Sequence, residues 1–307
     1  MKVFCTGDWH ITAHVPKKRL DNYVETQFNK VKQILEHASQ YEDSAIVQPG
    51  DFFDTPTEPY WIINKYQELL SQYPNVKIFI TYGQHDLRYH THNFQNTPLY
   101  TFEANRSVTH PVSPIVMDNV VFHAAPWNSE IEPPDRSNYP EGSVHVLMLH
   151  KMIIDEKLWD DQEHFTWGTD MISKYGYDLT VCGDNHKYFL LERDGKLLTN
   201  CGSIMRSNVG QKDHKPAYVV FDSHTREHEV HYLKVPEFSE VFDTTNQAVT
   251  KDTSKKLLDF VDSLNEGTGV RDFDFLRNLL DFAHSPDNSY SDSLKKVIEE
   301  IVDECHE

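Results

Sequence analysis

Five times in the first 190 residues an apolar run stops and a carboxylate or imidazole follows almost at once, usually across a glycine. Gly7-Asp8-Trp9-His10 follows the run 2–6, and Gly50-Asp51-Phe52-Phe53-Asp54 follows 45–48. Gly83-Gln84-His85-Asp86 follows 76–82, His150 closes 144–149, and Gly183-Asp184-Asn185-His186 follows 179–182. The runs are four to seven residues long and rich in Val, Ile, Phe and Leu, so they read as strands. Open α/β sheets place their sites in the loops at the carboxyl ends of strands. The pattern therefore constrains the chain to an α/β protein in which five such loops can converge.

The remaining periodicities fill in the architecture. Leu20, Val24, Phe28, Val31, Leu35 and Ala38 recur at spacings of three and four, which predicts a helix between the first two strands. A second helix is expected over 60–70, with Pro59 near its first turn. Further strands are expected at 119–124, 197–200, 217–221 and 229–233. Strands alternating with helices early, then hairpin-like strands, predict an α/β sandwich with mixed sheets over residues 1–235. After Pro236 the texture changes. Residues 251–307 hold seven basic and fourteen acidic side chains. Apolar positions around Leu257, Phe275 and Leu294 mark three helices, so 236–307 reads as an acidic helical region that caps the core or docks a partner.

Lys and Arg number 29 against 48 Asp and Glu, a formal charge of −19. That balance excludes a protein that holds nucleic acid by bulk charge. It leaves open an enzyme that meets phosphates through bound cations. No apolar run approaches a membrane span, and no signal-peptide core precedes Gly7, so a soluble, cytoplasmic protein is expected. The four cysteines form no CxxC pair, which argues against a disulfide framework or a zinc ribbon. Cys5 and Cys182 read as buried thiols.

Carboxylates mixed with imidazoles suit Mn, Fe or Zn. Two ions about 3.5–4 Å apart need a bridging group, and a carboxylate provides one. Each segment alone has a plain structural explanation: Asp8-x-His10 as a cap, Gly50-Asp51 as a turn, His85-Asp86 as a surface pair, His150 as a core histidine. Their shared order, each at a strand end, favours a metal site.

That order resembles the calcineurin-like metallophosphoesterase superfamily, D-x-H … G-D-x-x-D … G-N-H-[DE] … H … G-H-x-H, over roughly residues 1–235. Trp9, the long first loop and the stretch Asn200-Cys201-Gly202-Ser203-Ile204-Met205-Arg206 resemble its DNA-repair nuclease branch. This is the SbcD type, which works with an SMC-like ATPase and has phage-encoded versions. The resemblance implies a four-layer α-β-β-α sandwich and two-metal hydrolysis of phosphodiester bonds, as double-strand exonuclease and single-strand endonuclease. It implies two divalent ions, Mn foremost, with Mg, Fe or Zn as alternatives. Asp8, His10 and His186 would hold the first and Gln84, His150 and Asp184 the second, with Asp51 bridging. His85 would stand beside the scissile phosphate, oriented by Asp86. The implied partners are DNA and the ATPase, with a homodimer as a further expectation.

Two positions depart from the pattern, Gln84 for the usual Asn and Asp184 for the usual His. They leave three readings: a site retuned toward Mn or Mg, a second site filled only with substrate, or a degraded site. Lys17, Lys18, Arg19, Arg88, Lys187 and Arg206 are candidates for DNA phosphates, although Lys17-Lys18-Arg19 also reads as a solvated helix start. Trp9 could stack on a base or pack. The rival functions are a small-molecule phosphatase or cyclic-nucleotide phosphodiesterase of the same superfamily, and a non-catalytic scaffold.

Overall fold

β1 (Lys2–Cys5), α1 (Tyr23–Ala38), β2 (Ser44–Gln48), α2 (Tyr60–Ser71) and β3 (Lys77–Ile80) open the chain as alternating strands and helices, with β1, β2 and β3 parallel. They belong to a computed structural model that describes residues 1–243; the helices expected around Leu257, Phe275 and Leu294 lie outside the described residues. α3 (Pro98–Ala104) leads to β4 (Ile115–Met117), β5 (Val120–Ala125) and β6 (Val144–His150). Two short strands, β7 (Ile153–Ile154) and β8 (Thr166–Trp167), precede α4 (Gly168–Tyr175) and β9 (Leu179–Gly183). β10 (Phe189–Arg193), β11 (Lys196–Asn200), β12 (Ala217–Asp222), β13 (His228–Tyr232) and α5 (Phe238–Val241) complete the described chain.

One sheet has five strands in the order β13-β12-β1-β2-β3, and the other has six in the order β10-β11-β9-β6-β5-β4. Side chains alternate between their faces, as the period of two requires. Val3, Cys5, Ala45 and Val47 point between the sheets, where they meet Val146, Met148 and Val181. Phe79 and Phe122 stack across that interface at 4.1 Å. Phe4, Ile46 and Ile78 point the other way, onto Val31, Ile34 and Tyr66 of α1 and α2. Leu147, Leu149 and Leu198 pack beneath Met171 and Ile172 of α4. Each such apolar side chain contributes about 1.5–3 kcal/mol by burial. The result is the expected sandwich of helix, sheet, sheet and helix.

All the expected strands form, with ends shifted by a few residues at most. The start of α1 differs from expectation. Asn22 caps it by accepting from the Glu25 N–H, so Leu20 precedes the helix and is 62% exposed. Among residues 236–243, Phe238, Val241 and Phe242 cluster with Val209.

Parallel pairing puts the carboxyl ends of β1, β2 and β3 on one edge of their sheet, and those of β6 and β9 on one edge of theirs. The two edges meet. Asp8, after β1, bridges to Ser203, after β11 of the other sheet.

Candidate metal centre

Asp8 leaves β1 fully buried. Its Oδ2 accepts from the Asp184 N–H at 3.0 Å, a bond that crosses from one sheet to the other, and its Oδ1 has no hydrogen-bond partner. Two residues on, His10 sits in left-handed backbone (φ 44°), as do Asp51 (φ 51°) and Asp184 (φ 81°). Residues of these types tolerate that region, but each position costs energy and clusters of them mark functional sites. The Asp51 carbonyl accepts from both the Trp9 and His10 N–H groups, which fixes the first loop against the second.

Asp51 faces the other ligands from the centre. Its Oδ1 accepts from the His85 N–H at 2.9 Å. Its Oδ2 lies 3.2 Å from His150 Nε2 and 3.6 Å from His10 Nε2. His150 is buried and bonds through Nδ1 to the Pro49 carbonyl at 2.8 Å. A carbonyl only accepts, so Nδ1 carries the proton and Nε2 is the nitrogen turned to the site, the arrangement found in metal-ligating histidines. Gly183 permits this closeness, because a Cβ there would collide with Asp8 Oδ1 and lie 2.8 Å from His150 Nδ1.

His10 and His186 bring their Nε2 atoms within 3.0 Å of each other. His10 Nδ1 lies 3.1 Å from Asp54 Oδ1, and His186 Nε2 lies 3.5 Å from Asp8 Oδ2. Among the described residues, three groups place ligand atoms within 4.8 Å of one another: Asp8, His10 and His186; His10, Asp51 and His85; Asp8, Asp51 and His150. Asp8, His10 and Asp51 are each shared, so the three groups form one centre.

The electrostatics call for positive charge. Burial pushes Asp8 up to about 7, with the Asp51 charge adding to it and His150 and His10 opposing. Burial would lower His150, yet the adjacent Asp51 carboxylate raises it to about 10. His10 likewise resists burial and rises to about 9, through Asp54, Asp51 and Asp8. His186 goes the other way, to about 3, because burial and the neighbouring His10 both disfavour a second proton. A divalent cation fits this donor set. The carboxylate and imidazole atoms converge, and Asp8 Oδ1, Asp51 Oδ2, Gln84 Oε1 and His150 Nε2 are buried without hydrogen-bond partners.

Two of the expected second-ion ligands are joined directly to each other. Gln84 Nε2 donates to Asp184 Oδ1 at 2.9 Å, and Asp184 belongs to none of the three groups. The carboxylate that replaces the usual imidazole is held through Oδ1 by the amide that replaces the usual asparagine, and Gln84 Oε1 is left without a hydrogen-bond partner.

Asp86 also has another task. It accepts from the N–H groups of Gly83, Phe52 and Phe53, at 3.0, 3.2 and 2.9 Å, and so ties the second loop to the third. The His85 ring instead pairs through Nδ1 with the Asp54 carbonyl at 2.8 Å. His85 is exposed and stands edge-on to His10, with ring centroids 4.8 Å apart.

The candidate phosphate contacts divide sharply. Arg19 is inside the protein: its side chain is 3% exposed and grips Asp21 with two bonds of 2.8 and 2.7 Å. Arg206 is 5% exposed and donates to the Pro236 carbonyl. Both guanidiniums stack on aromatic rings, Arg19 on Tyr23 and Phe242 and Arg206 on Phe238. They are packing elements and not surface cations. Lys187 pairs with Glu156, Arg88 is half-buried over Tyr89, Lys18 is half-buried, and Lys17 is exposed. Trp9 is fully buried against Phe52, with its Nε1 on Thr6, so it packs.

Sequence reasoning missed Gln27. This buried side chain of α1 donates to the Trp9 and His10 carbonyls at 3.1 and 2.7 Å and accepts from the Thr12 N–H. Its signal was a polar residue between the apolar positions Val24, Phe28 and Val31.

A family model described as calcineurin-like phosphoesterase matches residues 1–225. No curated protein matches the chain. Among solved structures, an archaeal phosphodiesterase is 15% identical, over 76% of this chain and 100% of its own, with a TM-score of 0.42. A zinc-complexed Vps29 from Entamoeba histolytica is 12% identical, over 76% and 98%, with a TM-score of 0.37. The phosphopantetheinyl hydrolase PptH from Mycobacterium tuberculosis is 12% identical, over 67% and 90%, with a TM-score of 0.40.

Proposed function

Since the chain belongs to the calcineurin-like phosphoesterase family, we propose that it is a divalent-metal phosphodiesterase that cuts DNA, the nuclease subunit of a repair or recombination complex. The observation that carries the metal chemistry is His150, whose proton is committed to Pro49 while Nε2 faces Asp51. The DNA substrate, two ions with Mn preferred, and an SMC-like ATPase partner are the finer parts of the reading. They are supported by the resemblance of Gly202-Ser203-Ile204-Met205-Arg206 to the nuclease branch.

Asp8, His10, His186 and Asp51 would hold one ion, and Asp51, His150 and Gln84 the other. Ions held there supply Lewis acidity toward phosphoryl oxygens and activate water for in-line attack. The protein's own part is positioning. With Nδ1 on the Asp54 carbonyl, His85 has Nε2 left for substrate, and in its protonated form can give a proton to the leaving oxygen. Asp86 holds the main chain just after Asp51, at Phe52 and Phe53, and just before His85, at Gly83, so the loop that carries His85 does not drift. No helix among the described residues is long and apolar enough to cross a membrane.

The test is cleavage of plasmid and linear DNA with Mn, with Mg and with EDTA, alongside metal analysis of wild type and Asp51→Asn. Mn-dependent cutting that EDTA abolishes, with metal lost in Asp51→Asn, is the expected result. Turnover of a phosphomonoester with both DNAs intact would replace this reading with the small-molecule phosphatase. Purification without stoichiometric metal and without any turnover would replace it with the scaffold.

A further inference from the structure

The centre is flanked unequally. On the side of His10, His85 and His186 lies a small cavity of about 140 Å³. On the side of His150 and Asp184 lies one of about 540 Å³, walled by Trp127, Ile131, Lys151, Met152 and His164. Only the larger falls in the range of sites that enclose an organic ligand, roughly 300–1,000 Å³. Within the phosphodiesterase reading above, we propose that this cavity is a nucleotide subsite. It receives the nucleoside attached to the scissile phosphate, with the base stacked on Trp127 and a flanking phosphate on Lys151.

Trp127 is built as a platform. Ala125 pairs with Leu149 at the ends of β5 and β6, so Trp127 emerges beside the strand end that presents His150. Its N–H donates to the Tyr82 carbonyl at 2.8 Å, and its own carbonyl pairs with His92 at 2.8 Å. The His90 ring lies against the indole at 5.4 Å between centroids. Main chain and ring are thus fixed before a ligand arrives, while the indole is half-buried and still lines the cavity. A fixed aromatic ring binds any base by its π-face.

Ile131 and Met152 supply apolar wall for a sugar. Lys151 follows His150 directly, is exposed, and has no hydrogen bond or ion pair among the described residues. His164 is exposed too and in the same position. A cation without a partner among the described residues, an apolar wall and a fixed indole beside a phosphate-directed centre match one chemical class, a nucleotide carrying a second phosphate.

The experiment is calorimetric binding in Mn of inorganic phosphate, thymidine 5′-monophosphate, thymidine 3′,5′-bisphosphate and a short single-stranded oligonucleotide. Wild type should bind the monophosphate more tightly than phosphate. Trp127→Ala should remove about 5- to 150-fold of that preference, the range for one stacked base, and leave phosphate affinity unchanged. Trp127→Phe keeps a ring and should recover most of it, which guards against a merely misfolded Trp127→Ala. Lys151→Gln should weaken the bisphosphate several-fold and spare the monophosphate; no change there overturns the phosphate half. Equal affinity of wild type for phosphate and monophosphate overturns the subsite. Tight monophosphate with no oligonucleotide binding assigns it to free nucleotides and overturns its place on a strand. Trp127-dependent binding without hydrolysis of any diester would sink the enzyme reading and leave the subsite standing.

Discussion

Replacing Gly183 by alanine strikes the centre without touching a ligand. The new methyl carbon would meet Asp8 Oδ1, lie 2.8 Å from His150 Nδ1, and lie 3.1 Å from the Pro49 carbonyl. None of these neighbours has room to retreat. Asp8 and His150 are fully enclosed, and Asp8 Oδ2 is already committed to the Asp184 N–H. Overpacking of this kind costs about 1–3 kcal/mol. Prising His150 Nδ1 from the Pro49 carbonyl forfeits about 1 kcal/mol more. The sum, about 2–4 kcal/mol, corresponds to roughly 5–15 °C in melting temperature for a unit of this size. A second readout isolates the site. An ion at 100 times its dissociation constant stabilises the wild type by about 2.7 kcal/mol. In Gly183→Ala that gain should shrink, because the tautomer and aim of His150 are lost. Thermal denaturation with Mn and with EDTA measures both effects. An unchanged melting temperature together with a full Mn-induced shift would refute the packing argument.

His85→Asn should keep the bound metal and lower diester turnover by roughly 10²–10⁴, the contribution of a positioned acid or base; metal loss as large as the loss of turnover would make His85 a ligand. Arg19→Ala should destabilise by about 2–4 kcal/mol in chemical denaturation, since it strands Asp21 and uncovers Phe242, yet leave the salt dependence of DNA binding unaltered. Lys30 is buried in α1 with Nζ on the Ile204 carbonyl, and burial lowers it from 10.5 to about 7. Between those values the unfolded chain holds a proton that the folded chain has released, so stability should rise as pH climbs from about 7 to 10.5. Lys30→Met should flatten that rise in denaturation curves taken across the window.

The strands and their order of chemistry were legible because burial writes itself into sequence twice, as apolar runs and as the glycines that let ligands approach. Each of the motif loops reached the common edge for that reason. The errors have a common cause. Sequence shows the type of a charged residue and not which way it faces. Arg19 and Arg206 looked like phosphate contacts, but each is held by carbonyls and aromatic rings from distant segments. Asp86 adjoins His85 in sequence, yet its side chain turns inward to three amide groups. Gln84 and Asp184 are separated by 100 positions, and only the fold shows that each answers the other. β4 and β10 escaped notice because their outer faces are exposed, and α4 because two turns carry too few apolar positions to show a period.

The ligands come from both sheets. Asp8, His10, Asp51 and Gln84 follow strands of one, while His150 and His186 close or follow strands of the other. His10 and His186 are 176 positions apart in the chain. An ion that grips both is therefore a reversible cross-link between two leaves of the sandwich, over a span longer than most disulfides close. On the chain-entropy model a link of such length takes about 5 kcal/mol of freedom from the unfolded ensemble. Chelation should then loosen more than the catalytic edge. Amide exchange in β6 and β9 should quicken together with that in β1 and β2, because the same ion fastens both leaves.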